Sequence, residues 1–514
     1  MGKRKSLIFV AIFAIVVSTF LVACGNSNSS SGDKKDKSLV IAIGSDIISF
    51  DIHNHNNTST ESVHQNMFDY LFKRDENNEI KPDLVETYKI VNDTTLEAKL
   101  KEGVKFHNGD PLTSEDVKYT LERVAKDETL KEYPNYKQIK EVQIIDDLNF
   151  KIITYKAEPS LLHRLSRLGS GILPSKYIKE KGFDYFLEHP IGTGPYKFKE
   201  WVRDEKVVFE PFKDYFKGKV DTWDKVTFRV IPENSTRVSE LLTGGVDIAT
   251  NIPPSDWKRV EDNDGTSLKQ EISNRTIMLI LRATKGYPTS DVRVRQAIDY
   301  AIDDKSLAEN ALKGGGIPTL TKVGPGNFGA NPDLYDQYHF DIDKAKALLK
   351  EAGYEKGFEM TLHSPKGRYL QDAEVTEMIA GMLSKVNIKV KIDFMEWSKF
   401  VEMRTAKKNK DAYLLGLGNS MFDGAYAVDW YRAERNIGET DYKNNKIEKL
   451  LEESASNMDA ESRTKQLQEI ESIVAEDVPH IHLYQEKIYT GVNDRVDYTP
   501  TQDEMLYVPT IKRK

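Results

Sequence analysis

The chain has 514 residues, with 73 Lys and Arg against 81 Asp and Glu and a formal net charge of −8. That balance, with no basic cluster interleaved with aromatics, excludes a nucleic-acid binder. Cys24 is the single cysteine, so no disulfide framework and no thiolate metal site can form within the chain. The length provides for two or three domains.

Lys3, Arg4 and Lys5 precede an apolar run, Leu7 to Ala23, broken only by Ser18 and Thr19. The run is short against the roughly 20 residues that a spanning helix needs. It ends in small residues, which makes it an export signal. Leu21-Val22-Ala23-Cys24-Gly25 resembles the bacterial lipobox, in which the cysteine receives a diacylglyceryl group and becomes the first residue. The resemblance implies a signal peptide over 1–23 and a lipid on Cys24. The Asn, Ser, Gly, Lys and Asp that dominate 24–37 cannot bury a core and read as a flexible tether.

The remainder alternates strand and helix signals. SLVIAIG (38–44) is a short apolar run ending in Gly, the pattern of a buried strand. TESVHQNMFDYLF sets Val63, Met67, Phe68, Leu71 and Phe72 at helical spacing. TTLEAKLKEGVKF and LNFKIITYK alternate as hairpin strands do. DIDKAKALLKEAGY predicts a helix capped by Asp343, with Leu348 and Leu349 facing inward and a stop at Gly353. ESRTKQLQEIESIVAEDVP predicts another, ended before Pro479. Such alternation at this length indicates α/β lobes.

Few motifs suggest chemistry. In FHNGDPLTSEDVKYTLERV (106–124), Asn108 to Pro111 is turn chemistry. Thr113 with Asp116 starts a capping box, and Val117, Thr120, Leu121 and Val124 form one apolar face. GPGNFG (324–329) fits G-x-G-x-x-G, but Pro325 and Pro332 oppose the helix start that a dinucleotide loop requires; a loop near a cleft mouth is the better reading. EDNDG (261–265) lacks the first ligand of an EF-hand, because Val260 occupies its place. No H-E-x-x-H, G-x-S-x-G or P-loop lysine pattern occurs.

Five stretches together resemble the family 5 extracellular solute-binding proteins, the dipeptide, oligopeptide and nickel receptors of ABC importers. They are FHNGDPLTSEDVKYTLERV, IGTGPYKFKEW (191–201), GGVDIA (244–249), DVRVRQAIDYAID (291–303) and KAKALLKEAGY (344–354), in the family's order. The resemblance implies an α/β, type II, two-lobe clamp like periplasmic binding proteins, with an extra domain inserted in lobe one. On that pattern lobe one holds 38–80, 190–277 and 486–514, the insert 81–189, and lobe two 278–485. It also implies a monomer that is not an enzyme and uses no cofactor; the lipobox puts it, lipid-anchored, on the extracellular face of the cell membrane, and the Lys- and Asn-rich composition suggests a bacterium without an outer membrane. Its partners would be a small peptide or peptide-like solute, an ABC permease and its ATPase subunits. Two other readings are a receptor for nickel or a metallophore chelate, and a secreted hydrolase, for which no nucleophile and base motif exists.

In peptide-binding relatives an acidic residue in a Trp-rich loop of lobe two pairs with the ligand's α-amine. The matching stretch is LLGLGNSMFDGAYAVDWY (414–431). Leu417 stands where the family has Trp, and Asn419-Ser420 where the amine-binding Asp is expected. Asp423 matches the later Asp, with Gly424 replacing Pro. A missing carboxylate removes an ionic hydrogen bond worth about 1.5–3 kcal/mol, so Asp423 or Asp429 substitutes, or the ligand has no free amine. For an anionic end, Arg368 in SPKGRYLQDAEV offers a guanidinium fork. Arg167 matches by position an arginine that anchors carboxylates in the nickel-chelate branch, and Arg275 lies near the expected crossover. Tyr133, Tyr136, Tyr369, Met421, Phe422 and Tyr426 are the candidate walls. DIHNHNNTSTESVH follows the first strand, where the family lines its cleft, so His53 and Asn54 are candidate contacts. No metal site is expected; were a metal or metal chelate bound, His53 and His55, sharing a strand face or projecting from a loop, are where it would sit. His480 and His482 in VPHIHLY are expected to pack in a short apolar strand.

Overall fold

Ser38–Ile43 forms β1, whose Leu39, Ile41 and Ala42 are fully buried, as expected where parallel neighbours and covering layers leave no face to solvent. This computed structural model describes residues 37–75, 77–167 and 169–514. The expected signal peptide, Cys24 and all but the last residue of the expected tether lie outside them. Ser38–Lys514 form one compact unit.

After β1, the short strands β2 (Phe72–Arg74) and β3 (Ile80–Pro82) pair with each other. Next come β4 (Val85–Asn92), β5 (Thr95–Leu100), β6 (Ile139–Ile144) and β7 (Asn149–Thr154), an antiparallel sheet in the order β4-β5-β7-β6. The two strands expected from alternation, β5 and β7, are direct partners. Against this sheet packs the helix Ser114–Lys126. Its Thr113 N donates to Asp116 Oδ2 at 2.8 Å, the predicted capping box, and Val117, Thr120, Leu121 and Val124 are fully buried. The core of this insert reaches back to Leu71 and Phe72, upstream of the boundary at 81.

The main sheet holds β8 (Tyr196–Val202), β9 (Lys206–Pro211), β10 (Lys225–Val230), β11 (Ile248–Ala249) and β12 (Thr266–Leu281). It continues with β13 (Gly316–Pro318), β14 (Phe358–Pro365), β15 (Ile388–Met395), β16 (Ala412–Gly418) and β17 (His480–Asn493). Its order is β15-β14-β16-β12-β17-β11-β1-β10-β9-β8, with β13 on β17. One end carries the lobe-one core around Phe50, Phe68, Trp223 and Phe228. The other carries the lobe-two core around Leu279, Ile298, Leu362 and Leu383. Among the described residues, β12 and β17 are the strands that pair with each other along the passage from one half to the other. The strand expected at VPHIHLY is therefore the start of a much longer one, and His480 and His482 are buried in it.

Two local expectations are corrected. The helix expected over 60–72 spans only Thr58–His64. Asn66 ends it: its side chain donates to Ser62 O at 2.9 Å and to Leu506 O at 3.0 Å, while its own carbonyl accepts Tyr196 N at 3.0 Å. The cap of Ile342–Glu351 is Asp341, which accepts Lys344 N at 2.9 Å, rather than Asp343. Leu349 is buried and Leu348 half-buried, and the helix stops at Gly353, whose φ is +84°. Ala460–Asp477 ends before Pro479 as expected.

The IGTG motif has a packing reason. A Cβ on Gly192 would lie 2.1 Å from Met67 O, and one on Gly194 2.7 Å from the same atom. Backbone, unlike a flexible side chain, cannot step aside. Gly192→Ala is expected to cost about 1–3 kcal/mol in urea unfolding, whereas Gly218→Ala, with open space around the new methyl but φ at +109°, loses only the strain of that conformation.

Candidate functional site

The ladder between β12 and β17 shifts register between Ile272 and Thr276. Here Gln485 Nε2 donates to Ser273 O at 2.8 Å. Arg275 donates twice to Glu504, at 3.0 and 3.1 Å, and lies 3.7 Å from Glu486. Burial alone would lower the Arg275 pKa, but Glu504 and then Glu486 outweigh it and hold the guanidinium charged. Asn274 Nδ2 donates to Asn419 O at 2.7 Å, and Asn327 Nδ2 donates to Asn274 Oδ1 at 2.8 Å. Asn419 Nδ2 in turn donates to Asn327 Oδ1 at 2.8 Å. Three amides thus tie the crossover to the GPGNFG loop and to the loop after β16. That GPGNFG segment turns at Gly326 and Gly329, with φ +80° and +78°, and Pro325 O accepts Gln502 Nε2 at 2.7 Å from lobe one. No helix opens from it; the next element is the short turn of 3-10 helix Pro332–Leu334.

From this crossover the lobes touch along a continuous seam. Arg74 Nη2 donates to Met421 O at 2.5 Å and its guanidinium lies 4.9 Å above the Phe422 ring. Ser160 Oγ donates to Asp423 Oδ2 at 2.8 Å. Asp423 is fully buried, caps the helix Gly424–Val428 through Ala425 N at 2.9 Å, and accepts Arg463 Nη2 at 2.8 and 2.9 Å. Burial would raise its carboxyl, but Arg463 and then His163 hold it below the usual carboxylate value. Phe422 has φ +51°, a strained conformation for a bulky residue. It is held by Phe328 N donating to its carbonyl at 2.9 Å.

The remaining candidates divide into committed and open groups. His53 Nε2 lies 3.0 Å from Gly169 O, and its Nδ1 accepts Arg123 Nη1 at 2.6 Å. Burial and then Arg123 push its pKa down to about 3. His55 is also buried, its pKa lowered to about 2 by burial and then His64. Among the described residues no group of three or more His, Cys, Asp or Glu could hold a metal ion. Asn54 is exposed. Tyr133 is half-buried and donates to Glu128, and Tyr136 is buried and donates to Arg164 O at 2.9 Å. Asn419 and Met421 are buried in the seam, and Arg167 pairs with Glu132 and donates to Ser420 Oγ at 3.1 Å. Tyr369 donates to Gly416 O at 3.3 Å and meets Trp397 edge to face. Tyr426 is half-buried.

Arg368 differs from every other arginine considered. Its guanidinium lies 5.3 Å from the Tyr369 ring centre and 5.1 Å from that of Trp397. It makes no ion pair or side-chain hydrogen bond among the described residues. Burial, and then Arg275, press its pKa below the usual guanidinium value. Such a group is what a carboxylate or phosphate would satisfy. A surface cavity of about 490 Å³ beside the insert helix, lined by Phe106, Pro111, Pro174 and Tyr177, shares none of these residues. Sequence reasoning missed Arg74, Glu132, Ser160, Trp397, Arg463 and Glu504. Only their distant partners distinguish them from ordinary surface residues.

Residues 79–439 match the family described as "Bacterial extracellular solute-binding proteins, family 5 Middle". The chain belongs to this family, and is a solute-binding protein and not an enzyme. It is 26% identical over 540 residues to the oligopeptide-binding protein AppA of Bacillus subtilis (strain 168), covering 98% of each. It is 29% identical over 471 residues to the glutathione-binding protein GsiB of Shigella flexneri serotype 5b (strain 8401), covering 88% of this chain and 90% of that one. Among solved structures, NikA of Staphylococcus aureus in complex with Ni(L-His)2 aligns at a TM-score of 0.78 and 24% identity, covering 93% of this chain and 100% of that one. AppA with a nonapeptide aligns at 0.80 and 24%, covering 93% and 99%. The two-lobe, type II clamp with a mixed α/β sheet is thereby established.

Because the Asp423 carboxyl is depressed, its contribution to stability is present above the ordinary carboxylate range and lost as the pH falls through the folded value. Urea unfolding across acidic pH should show this loss, and Asp423→Asn should flatten that part of the profile. Arg463→Met, which leaves the carboxylate buried alone, is expected to cost about 3–5 kcal/mol at neutral pH.

Proposed function

We propose that the chain captures a small, peptide-like solute with an anionic end between its lobes, closes on it, and delivers it to an ABC permease. The open guanidinium of Arg368 beside Trp397 and Tyr369 carries this reading. The seam's carboxylates support its second half. Asp423 is taken by Arg463, Glu132 by Arg167, Glu504 by Arg275, and Asp429 by Arg432 and Arg435. A ligand ammonium would find no free acid among these four. A solute whose amine is blocked or otherwise engaged fits this arrangement. A metal chelate is the second reading, favoured by the same fact: an amine bound to a metal needs no carboxylate. Closure signals occupancy only if the solute binds the closed form better than the open one.

Anchoring follows from Leu21-Val22-Ala23-Cys24, where a two-chain lipid holds a protein that one chain would hold only marginally. In a bacterium with no outer membrane, that lipid keeps the receptor, as a monomer, on the extracellular face beside its permease. Mass spectrometry of membrane-extracted protein should find a diacylglyceryl group on an N-terminal Cys24; an unmodified thiol would refute the anchor.

Native mass spectrometry of protein purified from rich medium should reveal a bound small anion, with elemental analysis for nickel separating the two readings. Arg368→Ala should weaken that solute roughly 10–100-fold by calorimetry, the worth of one ionic hydrogen bond. Unchanged affinity, or no bound small molecule under any growth condition, would contradict the proposal.

A further inference from the structure

Arg167 and Glu132 form an ion pair where the insert meets lobe two, with Arg167 6% and Glu132 1% exposed. Arg167 Nη1 donates to Glu132 Oε2, and Arg167 Nε donates to Ser420 Oγ of lobe two at 3.1 Å. Glu132 is held independently of the arginine. Its backbone N donates to His53 O at 3.0 Å, and Asn135 Nδ2 donates to the same carboxylate oxygen at 3.0 Å. Gly169 closes the other side: a Cβ there would lie 2.9 Å from Tyr136 and 3.3 Å from Glu132 Cγ.

The surroundings are those of a carboxylate receptor. His55 Nδ1 accepts Asn57 N at 3.3 Å, which leaves the ring hydrogen on Nε2, and that atom is buried with no partner. The Arg167 guanidinium and the Asn135 amide both donate to one carboxylate oxygen of Glu132, so two fixed donors meet at a place that the chain fills with its own carboxylate. Stability does not require this. A buried ion pair gains little over apolar residues of the same volume, although deleting one partner is costly.

We propose that Glu132 is an internal ligand, a specificity-determining residue that occupies a carboxylate subsite at the insert end of the cleft. This rests on the reading of the cleft given above. The solute then offers one anionic group, to Arg368, and none to Arg167. Compact monoanionic solutes are admitted, and those with a second carboxylate at the insert end are refused.

Glu132→Ala removes the stand-in and leaves room for a small carboxylate. Its thermal midpoint should fall below that of the unaltered protein. Acetate should restore at least half the loss while chloride at equal ionic strength restores none. The unaltered protein and the double variant Glu132→Ala with Arg167→Met should show no acetate-specific response. If Glu132→Ala does not fold alone, refolding in acetate but not in chloride supports the proposal. Failure in both, an equal response to the two salts, or rescue of the double variant overturns it. Native mass spectrometry of Glu132→Ala from the same rich medium should show a retained solute bearing an additional carboxylate; an unchanged solute mass also overturns it. The acetate response needs no solute, so it fails or succeeds independently of the cleft reading.

Discussion

The antiparallel ladder of β12 and β17 ties the two lobes into one sheet. On the lobe-one side it hands over to β11 and β1, on the lobe-two side to β16 and β14. Breaking it would expose paired backbone groups of both strands, each costly to leave unmade. The ladder is already interrupted between Ile272 and Thr276, and shifts register again between Ile277 and Met278, and these are the places where bending breaks fewest bonds. The first break is fixed by side chains instead: Gln485 on Ser273 O, Glu504 on Arg275, and the amides of Asn274, Asn327 and Asn419. The last of these reach the loop after β16, so the hinge and one wall of the seam share a hydrogen-bond network.

Charge satisfaction follows from this closeness. The seam brings arginines and carboxylates out of water, which is tolerable only where each finds a partner. Asp423, Glu132 and Glu504 do so within the protein. Arg368 does not; two aromatic faces lie beside it instead, a weaker substitute for an anion. The lack of a direct partner for the Arg368 guanidinium is the feature that an anionic end of a solute would satisfy.

Local features were legible in the sequence because they depend on neighbours in the chain. The Thr113–Asp116 cap, the buried β1 and the alternation of β5 and β7 are of this kind, and the five family stretches pointed to the clamp; that β5 and β7 pair with each other, across some fifty residues, was not legible. The IGTG glycines could be recognised but not explained, since their reason is the Met67 backbone far upstream. The helix at Thr58–His64 stops early for a reason no periodicity contains: Asn66 bonds a C-terminal carbonyl. Asp423 was visible as a candidate, yet its partner Arg463 is 40 residues away, and Glu504 is 229 from Arg275. Side-chain identity alone could not separate an arginine already satisfied, such as Arg167, from one left open, such as Arg368.

A hinged clamp must close around its solute. Small-angle scattering of protein stripped by unfolding and refolding, measured before and after the copurified solute is returned, tests this most directly. A smaller radius of gyration on return is the predicted result. The same radius in both states, with binding confirmed in parallel, would contradict a hinged clamp.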